Sequence, residues 1–482
     1  MSLFATKPIA RIIAEAESGD VTLKRALGPW SLISLGIGAI IGAGIFSITG
    51  HAAADYAGPA VVLSFIVAGI GCAFAGMCYS ELASMIPVAG SAYTYSYAIL
   101  GELPAWIIGW DLVLEYAVAA AVVASAWSHY VNAFLHDYLD ITLPVAWTAC
   151  LMDKLPDGTS AGGTMNLLAM VVIIAISLLL MTGIQQSARV NTAMVMVKLA
   201  IVVIFIGLGF GYIDWNNYHP FIPPNTGQFG HFGWSGVMRA AGVVFFAYIG
   251  FDCVSTAAQE AHLPQRDMFK GIIGSLAICT VIYIVFSFVL TGMLNYQQLG
   301  VGAPVVAAFK KTPYHWAGFL INIGIICGLT SVILVLLLGQ SRVFYAMARD
   351  GLVPPAFSEL HSKWRTPWKS NLIFMVMVSL ITGNFSLSTL GDMVSIGTLL
   401  AFIIVCAGVI VLRRTQPDVH RPYRAPAVPV FPILGILVCA AMMAALDWLT
   451  WVRLVVWLVI GLGIYFGYSR SHSKLQHPRG SS

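Results

Sequence analysis

Long apolar runs, separated by short polar stretches, make up most of this chain. Twelve runs are about as long as the roughly 20 residues that a helix needs to cross a bilayer. They cover residues 30–52, 60–85, 98–132, 165–184, 190–212, 236–259, 270–294, 315–346, 370–388, 393–413, 428–446 and 448–468. The runs are continuous, whereas strands of a membrane barrel alternate apolar and polar residues. The pattern therefore predicts an all-α polytopic membrane protein with twelve transmembrane helices.

Composition excludes several other classes of protein. Of the 482 residues, 59% are hydrophobic and 10% are charged, against roughly 45–50% and about 25% in soluble domains. An ordinary water-soluble enzyme and a disordered chain are therefore excluded. The net charge of +4 is too small for a polybasic nucleic-acid surface. The eight cysteines form no CxxC or CxxH pattern, so neither a metal site nor a disulfide framework is predicted.

The basic residues set the predicted orientation. If the N-terminus lies inside, 19 lysines and arginines fall on inner segments and 5 on outer segments or outer helix ends. Because positive charge is retained on the cytoplasmic side, both termini are expected in the cytoplasm and the protein in the inner, or plasma, membrane. Residues 1–28 carry both signs of charge and lack the apolar core of a signal peptide. The longest outer loop is predicted at 133–164.

Two spans carry features that interrupt helices. In the first, four glycines fall within residues 36–44, and glycine weakens a helix while letting its backbone approach a ligand closely. Close helix packing is the alternative, because Gly38 and Gly42 form a GxxxG motif. In the sixth, Gly250 is followed by the ionisable Asp252. Transporters often bind substrate where two helices are broken at matching positions of two inverted halves.

The first and sixth spans would match each other in a five-plus-five inverted repeat with discontinuous helices 1 and 6. An odd number of helices in each half inverts the second half relative to the first. The predicted division is a cytoplasmic segment 1–28, repeats 29–214 and 235–414, helices 11 and 12 at 425–469, and a cytoplasmic tail 470–482.

An opened helix could hold both charges of an amino acid. Amide groups at the start of a half-helix attract a carboxylate, and carbonyl groups at the end of the other half accept hydrogen bonds from an ammonium. The predicted amide donors are Gly42, Ala43 and Gly44. The predicted carbonyl acceptors are Ile40, Phe246, Ala247 and Ile249.

Lys198 is the one basic residue that this topology leaves inside the membrane. About eight residues precede it in its span, a depth of ~12 Å, and a central lysine costs ~3 kcal/mol even on the most lenient insertion scale. It is predicted to carry the coupling proton, since a lysine in an apolar interior can release its proton near neutral pH. A fixed cation there could also replace a bound sodium ion. The alternative is a structural lysine that caps carbonyl groups of a neighbouring helix.

Acidic residues also fall within spans. Asp111 and Glu115 lie one helical turn apart in the third span and share a face. Glu115 is the deeper of the two and is predicted to be a polar partner near the site. Asp252 and Glu260 lie toward the inner end of the sixth helix and are instead expected to form ion pairs with Arg266 or Lys270.

The remaining polar signals are weaker. Arg239, in the outer half of the sixth span, is expected to extend to the interface, with a vestibule role as the alternative. Thr330 and Ser331 offer hydroxyls in the eighth span, where such groups usually bond to their own backbone. The tryptophans and tyrosines are interpreted as interfacial belts. The chain has no GxSxG, HExxH or P-loop motif, so no catalytic residue and no enzyme activity are predicted.

These motifs resemble the amino acid–polyamine–organocation superfamily of transporters, in its bacterial cationic amino acid transporter-like branch. The resemblance covers nearly all of residues 24–468. It is carried by residues 36–46, 87–95, 109–116, 245–258, 264–267, 344–351 and 421–426. It implies the five-plus-five inverted fold and the backbone site described above.

The resemblance also implies roles for side chains. Lys198 is similar to a fifth-helix lysine that occupies the place of a sodium site in proton-coupled members, and Thr330 and Ser331 resemble the hydroxyl pair of sodium-coupled relatives. Leu336 resembles the position that faces the substrate side chain, where arginine transporters are expected to carry a small or polar residue. Desolvating a guanidinium against leucine would be costly, and Ala43 lacks a hydroxyl found in some relatives. Both departures favour a small neutral amino acid such as alanine.

The sequence thus predicts a proton-coupled symporter that imports small neutral L-amino acids by alternating access. An amino acid exchanger and a transporter of arginine or lysine are the alternatives within this class. A receptor that senses amino acids without net transport belongs to another class, which the short cytoplasmic loops disfavour. No cofactor is predicted beyond the coupling proton. The expected partners are the amino acid and the bilayer, without nucleic acid; a small membrane-protein subunit and the oligomeric state are left open.

Overall fold

The computed structural model describes residues 3–17, 27–88, 90–153, 159, 161–182, 188–256, 258, 261–364 and 366–477. Across these ranges the chain folds mainly into helices, and its only strand-like pairings there are two isolated bridges. The all-α class predicted from the apolar runs is confirmed.

Within the described ranges a helix lies at each of the twelve predicted spans. In chain order, helices 1 to 12 are Pro29–Ile40 continued by 44–57, Val61–Met85, Glu102–Leu139, Leu167–Met181, 188–212, 233–248 continued by Cys253–Thr256, Pro264–Met293, His315–Arg349, Trp368–Asn384, Leu387–Thr415, Val430–Ala445 and Trp448–His472. Eight stretches are long and apolar enough to cross a membrane by length and composition. The predicted interruptions of helices 1 and 6 are confirmed, while the inverted relation of the two repeats stays a prediction.

The third span differs most from its prediction. The run predicted at 98–132 begins inside a separate helix, Ser91–Ile99. Gly101 ends that helix with a φ of 99°, a conformation that favours glycine, and helix 3 then continues to Leu139. The chain therefore leaves helix 3 seven residues later than the start of the loop predicted at 133–164.

The broken helices lie at the centre of the bundle. The most apolar part of helix 6 is 89% buried, whereas that of helix 12 is only 22% buried. Helix 7 packs along helices 1 and 2, and helix 10 packs against helices 2, 3 and 6. Interrupted backbone at membrane depth is tolerated where protein encloses it, and these neighbours supply that enclosure.

One end of the bundle gathers both terminal segments. The Lys7 ammonium donates to Asp350 Oδ1 at 2.7 Å, directly after helix 8, and the Lys7 amide donates to the Tyr97 carbonyl at 3.0 Å. From the other terminus, the Lys474 amide donates to the Asp350 carbonyl at 3.1 Å. We call this end, defined by Lys7, Tyr97, Asp350 and Lys474, the terminal face.

Two buried glutamates hold helices together at the terminal face. Glu81 of helix 2 accepts two hydrogen bonds from the Arg413 guanidinium, at 2.9 and 2.7 Å, and one from the Ala425 amide at 2.7 Å. Arg421 Nε lies 3.4 Å from the same carboxylate. Glu102, at the start of helix 3, accepts hydrogen bonds from Tyr97, Tyr465, Ser473 and Gln476.

Candidate functional site

Helix 1 is interrupted where its glycines cluster. The first half ends at Ile40, and Ile41 takes an extended conformation with ψ of 104°. The second half starts at Gly44 with a wide π-helical turn. Amide groups at the start of a helix have no partner within it, so residues 42–44 present backbone donors at the interruption, as predicted for a carboxylate site.

Helix 6 is interrupted at the corresponding depth. A tight 3₁₀ turn, Phe245–Tyr248, is followed by the extended residue Ile249 with ψ of 137°. Gly250 then has a φ of 113°, and a Cβ atom there would lie 2.9 Å from the Ala39 carbonyl oxygen. Only glycine meets both conditions without strain, which accounts for this glycine in the sequence.

The two interruptions meet. A Cβ atom placed on Gly44 would lie 2.3 Å from Ala247 Cα and 2.5 Å from Ala247 Cβ, so the two backbones touch and only the alanine methyl group lies beside the contact. Ala43 and Ile40 are 0% and 3% exposed, and Phe246 is 5% exposed. The structure therefore brings the predicted amide donors of helix 1 next to the predicted carbonyl acceptors of helix 6.

Tyr283 of helix 7 joins the two carbonyl groups. Its hydroxyl lies 2.9 Å from the Ile40 carbonyl oxygen and 2.8 Å from that of Ala247. One hydroxyl proton can serve only one acceptor at a time, so the pair retains capacity for a second donor. The Phe246 carbonyl accepts the Ile249 amide at 3.2 Å, so two of the four predicted acceptors converge on one point.

Tyr283 is not among the site residues predicted from the sequence, because the tyrosines are interpreted there as interfacial belts. That interpretation is wrong for many of the tyrosines, because nine of them in the described part of the chain are less than 2% exposed. Several of them donate to backbone carbonyls, as Tyr130 does to Phe46 at 2.5 Å and Tyr248 to Phe65 at 2.9 Å. Their abundance within apolar runs was the available signal, since a buried tyrosine hydroxyl usually has a partner.

Lys198 reaches the first half of helix 1. Its ammonium donates to the Gly38 carbonyl at 2.8 Å, and the residue is 1% exposed. Gly38 precedes the end of that half-helix by two residues, so the lysine bonds one of the turns next to the interruption. This contact is common to both interpretations of Lys198, the proton carrier and the structural cap.

Helix 8 presents two hydroxyls beside this lysine. The Ser331 hydroxyl donates to the Gly328 carbonyl at 2.8 Å, and the Thr330 hydroxyl donates to Ile326 at 2.8 Å. A Cβ atom on Gly328 would lie 3.1 Å from Lys198 Cγ. Both hydroxyls bond within their own helix, the arrangement usual for such residues, on the stretch that packs against the lysine.

Leu336 lies on the face of helix 8 that meets helix 1. Val332, four residues earlier, contacts the position of a Gly42 Cβ atom at 3.4 Å, and residues four apart share a helix face. Leu336 is 4% exposed. The structure thus places an apolar wall beside the interruption.

Two carboxyl groups adjoin between the interruptions and the terminal face. Asp252 is 0% exposed and accepts hydrogen bonds from Tyr116 at 2.5 Å and from Ser91 at 3.4 Å. The Glu115 carboxyl group is its neighbour, and Glu115 is 1% exposed. The expected ion pair between Asp252 and a basic residue at the helix end is therefore wrong, because the carboxyl group points inward. Glu260 lies outside the described residues.

Arg239 binds protein groups at the opposite end of helix 6. Its guanidinium stacks over the Tyr56 ring at 4.4 Å and lies 3.9 Å from Asp447. The side chain is only 13% exposed. The expectation of an arginine that extends to the interface is corrected to one that connects the second half of helix 1 to the loop between helices 11 and 12.

Known proteins resemble this chain across all twelve helices. A sequence profile for the family described as amino acid permease matches residues 27–467. A branched-chain amino acid permease of Bacillus subtilis (strain 168) is 47% identical over 98% of this chain and 99% of its own length. A methylthioribose transporter of the same organism is 43% identical over 98% and 99%. The vacuolar cationic amino acid transporter 4 of Arabidopsis thaliana is 36% identical over 86% and 68%.

Proposed function

The chain belongs to the amino acid permease family, within the amino acid–polyamine–organocation superfamily, and on that premise we propose that it imports neutral amino acids together with protons by alternating access. It is a multi-pass membrane transporter rather than an enzyme. We place it in the plasma membrane with the terminal face in the cytoplasm. The ratio of 19 inner to 5 outer basic residues supports that orientation.

One observation carries the proposal for the substrate: the convergence of the Ile40 and Ala247 carbonyls beside the amides of residues 42–44. Backbone acceptors and donors set close together match an ammonium and a carboxylate on one carbon. The amide end would hold the carboxylate, and the two carbonyls would accept from the ammonium. When no ammonium is present, the Tyr283 hydroxyl donates to one of these carbonyls at a time, so the pair keeps one buried donor and can accept a second.

The side-chain preference follows from the apolar wall of helix 8. Leu336 and Val332 offer no group that could neutralise or hydrogen-bond a guanidinium. The free-energy cost of desolvating that guanidinium would then not be compensated. We therefore assign neutral apolar substrates, from alanine up to the branched-chain amino acids. The name of the Bacillus subtilis branched-chain permease, which is 47% identical, agrees with that range.

Proton coupling is assigned to Lys198. A protonated amine forms a stronger hydrogen bond with a carbonyl than a neutral one does, and the bond to Gly38 is made with the half-helix that carries the Ile40 carbonyl. Release of the proton would weaken the attachment of that half-helix to helix 5. Proton movement and rearrangement of the site would in this way be linked.

The decisive experiment uses the purified protein in liposomes. An inward proton gradient should drive uptake of alanine and leucine above the level without a gradient. Excess arginine should not compete. Methylthioribose is the informative competitor, because it lacks both the ammonium and the carboxylate that the backbone site would bind, and a relative is named for its transport.

The outcomes separate the alternatives. Uptake that ignores the gradient but requires internal amino acid would identify an exchanger. Competition by arginine would contradict the role given to Leu336. Binding of alanine without any transport would support a receptor. Inhibition of uptake by methylthioribose but by no amino acid would contradict the amino acid site.

A further inference from the structure

A cavity at the terminal face carries mostly positive charge. It has a volume of about 280 Å³ and is lined by residues of both terminal segments and of helix 8. Four of its lining residues are basic and one is acidic: Lys7, Arg11, Arg349, Lys474 and Asp350. The transport mechanism uses none of them.

The acidic group in this cavity is already engaged. Asp350 accepts the Lys7 ammonium at 2.7 Å through one carboxylate oxygen and the Tyr93 hydroxyl at 2.8 Å through the other. Arg349 and Lys474 line the same space from helix 8 and from the C-terminal segment. Arg349 and Lys474 therefore add positive charge beside a carboxylate that already pairs with the Lys7 ammonium, and the space favours an anion.

The height of the cavity in the bundle points to the membrane surface. Arg349 is the last residue of helix 8, and Lys474 follows helix 12 by two residues. Helix 12 has 25 residues, a few more than the hydrocarbon core requires, so the residues that follow it lie at the level of the lipid headgroups. Helix 12 also turns apolar side chains outward below this level, with Val459 61% and Phe466 51% exposed.

We propose that this cavity binds the phosphate of an anionic phospholipid, with the acyl chains lying along the outer face of helix 12. The Arg349 guanidinium can donate two parallel hydrogen bonds to phosphate oxygens, a geometry that favours phosphate over a simple halide. The Lys474 ammonium supplies a second, mobile charge. Both side chains are exposed at the cavity, so binding requires no rearrangement of the core.

The lipid would join parts of the chain that are far apart in sequence. Lys7 and Arg11 come from the N-terminal segment, Arg349 from helix 8 and Lys474 from the C-terminal segment. A ligand that binds only the folded arrangement stabilises it in proportion to its concentration. The anionic lipid would thus fasten both termini against helix 8.

The test measures unfolding of the purified full-length protein in detergent during addition of phosphatidylglycerol, phosphatidylcholine or inorganic phosphate. Phosphatidylglycerol should raise the unfolding midpoint with increasing concentration, and phosphatidylcholine should not. In the double variant Arg349→Gln, Lys474→Gln, the apparent affinity for phosphatidylglycerol should fall about tenfold or more, because the charge-assisted hydrogen bonds of both side chains are lost.

A matched double variant separates the site from general surface charge. Lys363→Gln with Arg414→Gln removes two exposed basic residues from the predicted inner surface away from the cavity and should leave the lipid effect unchanged. Equal loss in both double variants, or no effect of phosphatidylglycerol on the unmodified protein, would overturn the proposal. A midpoint raised by inorganic phosphate but not by phosphatidylglycerol would assign the cavity to a soluble anion and overturn the lipid assignment.

Discussion

At the residue scale, the contact between Lys198 and Gly38 joins a buried charge to the backbone of an interrupted helix. A buried cation is costly unless it is hydrogen-bonded, and here the ammonium donates at 2.8 Å to a carbonyl of the interrupted helix. The free-energy cost of burying the Lys198 charge therefore depends on the position of that half-helix. A lysine that bonded a rigid helix would stabilise the fold without affecting transport.

Replacing Lys198 with alanine should abolish the response of uptake to a proton gradient. The amino acid site itself is made of backbone groups, so binding and exchange of labelled for unlabelled alanine should persist. Uptake by the variant in liposomes, measured at two external pH values, checks this. Lys311→Ala, which removes an exposed lysine, serves as the control and should keep the normal response; a variant Lys198→Ala that still responds to the gradient would contradict the proton role.

Tyr283→Phe should make the protein more dependent on its substrate. Without the hydroxyl, the Ile40 and Ala247 carbonyls lose a buried donor, which costs about 1–3 kcal/mol in the substrate-free protein. An ammonium bound between them would restore the lost bond. The increase in thermal midpoint caused by alanine should therefore be larger in the variant than in the unmodified protein.

A second tyrosine provides the control for this measurement. Tyr248→Phe also removes a buried bond to a carbonyl, that of Phe65, but it leaves the Ile40 and Ala247 carbonyls paired with Tyr283. It should lower stability without enlarging the effect of alanine. Identical responses of the two variants would show that the ammonium does not bind at the paired carbonyls.

At the element scale, the interruption of helix 1 depends on where glycines meet backbone rather than on their number. Gly44 faces the Ala247 backbone at a distance that no Cβ atom can occupy, whereas Gly42 faces the Val332 side chain at ordinary contact distance. The two glycines therefore differ sharply in what they tolerate, although the sequence presents them alike.

Gly44→Ala should reduce transport severely, and Gly42→Ala should retain most of it. The added methyl group at position 44 must push the interrupted helices apart, because the Ala247 main-chain atoms that it meets cannot rotate away as a side chain could. The expected loss of stability is about 1–3 kcal/mol, as is typical of overpacking. Uptake of alanine together with the thermal midpoint of each variant measures both effects. Equal activity of the two variants would refute the close approach of helices 1 and 6.

Helix number, class and the depth of both interruptions were predictable, because apolar length and glycine density are local properties of the sequence. The separate helix Ser91–Ile99 was not predicted, although Gly101, Glu102 and Pro104 mark a break in the sequence, because the run predicted at 98–132 passes over this short polar stretch. Tyr283 could not be assigned because its role depends on two carbonyls distant in sequence. Asp252 was misjudged for the same reason: its partners come from helix 3 and from Ser91.

At the scale of the whole molecule, buried charged groups reinforce apolar packing at the terminal face. Glu81 is completely buried, and the guanidinium groups of Arg413 and Arg421 are 25% and 2% exposed. Breaking a buried pair leaves an uncompensated charge behind. This network therefore joins helices 2 and 10 to the segment before helix 11 at the predicted cytoplasmic surface.

Glu81→Gln should lower the free energy of unfolding by roughly 2–3 kcal/mol. This is less than the 3–5 kcal/mol of a fully buried pair, because Arg413 is partly exposed and can be hydrated. Thermal or denaturant unfolding in detergent measures the change. Glu359→Gln breaks the exposed pair with Lys369 and should have no measurable effect; a similar loss in both variants would contradict the distinction drawn from burial.

The direct contact of Gly44 with Ala247 has a mechanical consequence for the whole bundle. Interlocking side chains separate most helices of the bundle. At Gly44 the main chains of helices 1 and 6 touch instead, and Ala247 adds only a methyl group to the contact. Sliding of one helix past the other is blocked at this point, whereas a change in the angle between them preserves the contact, so we expect the two helices to reorient about it.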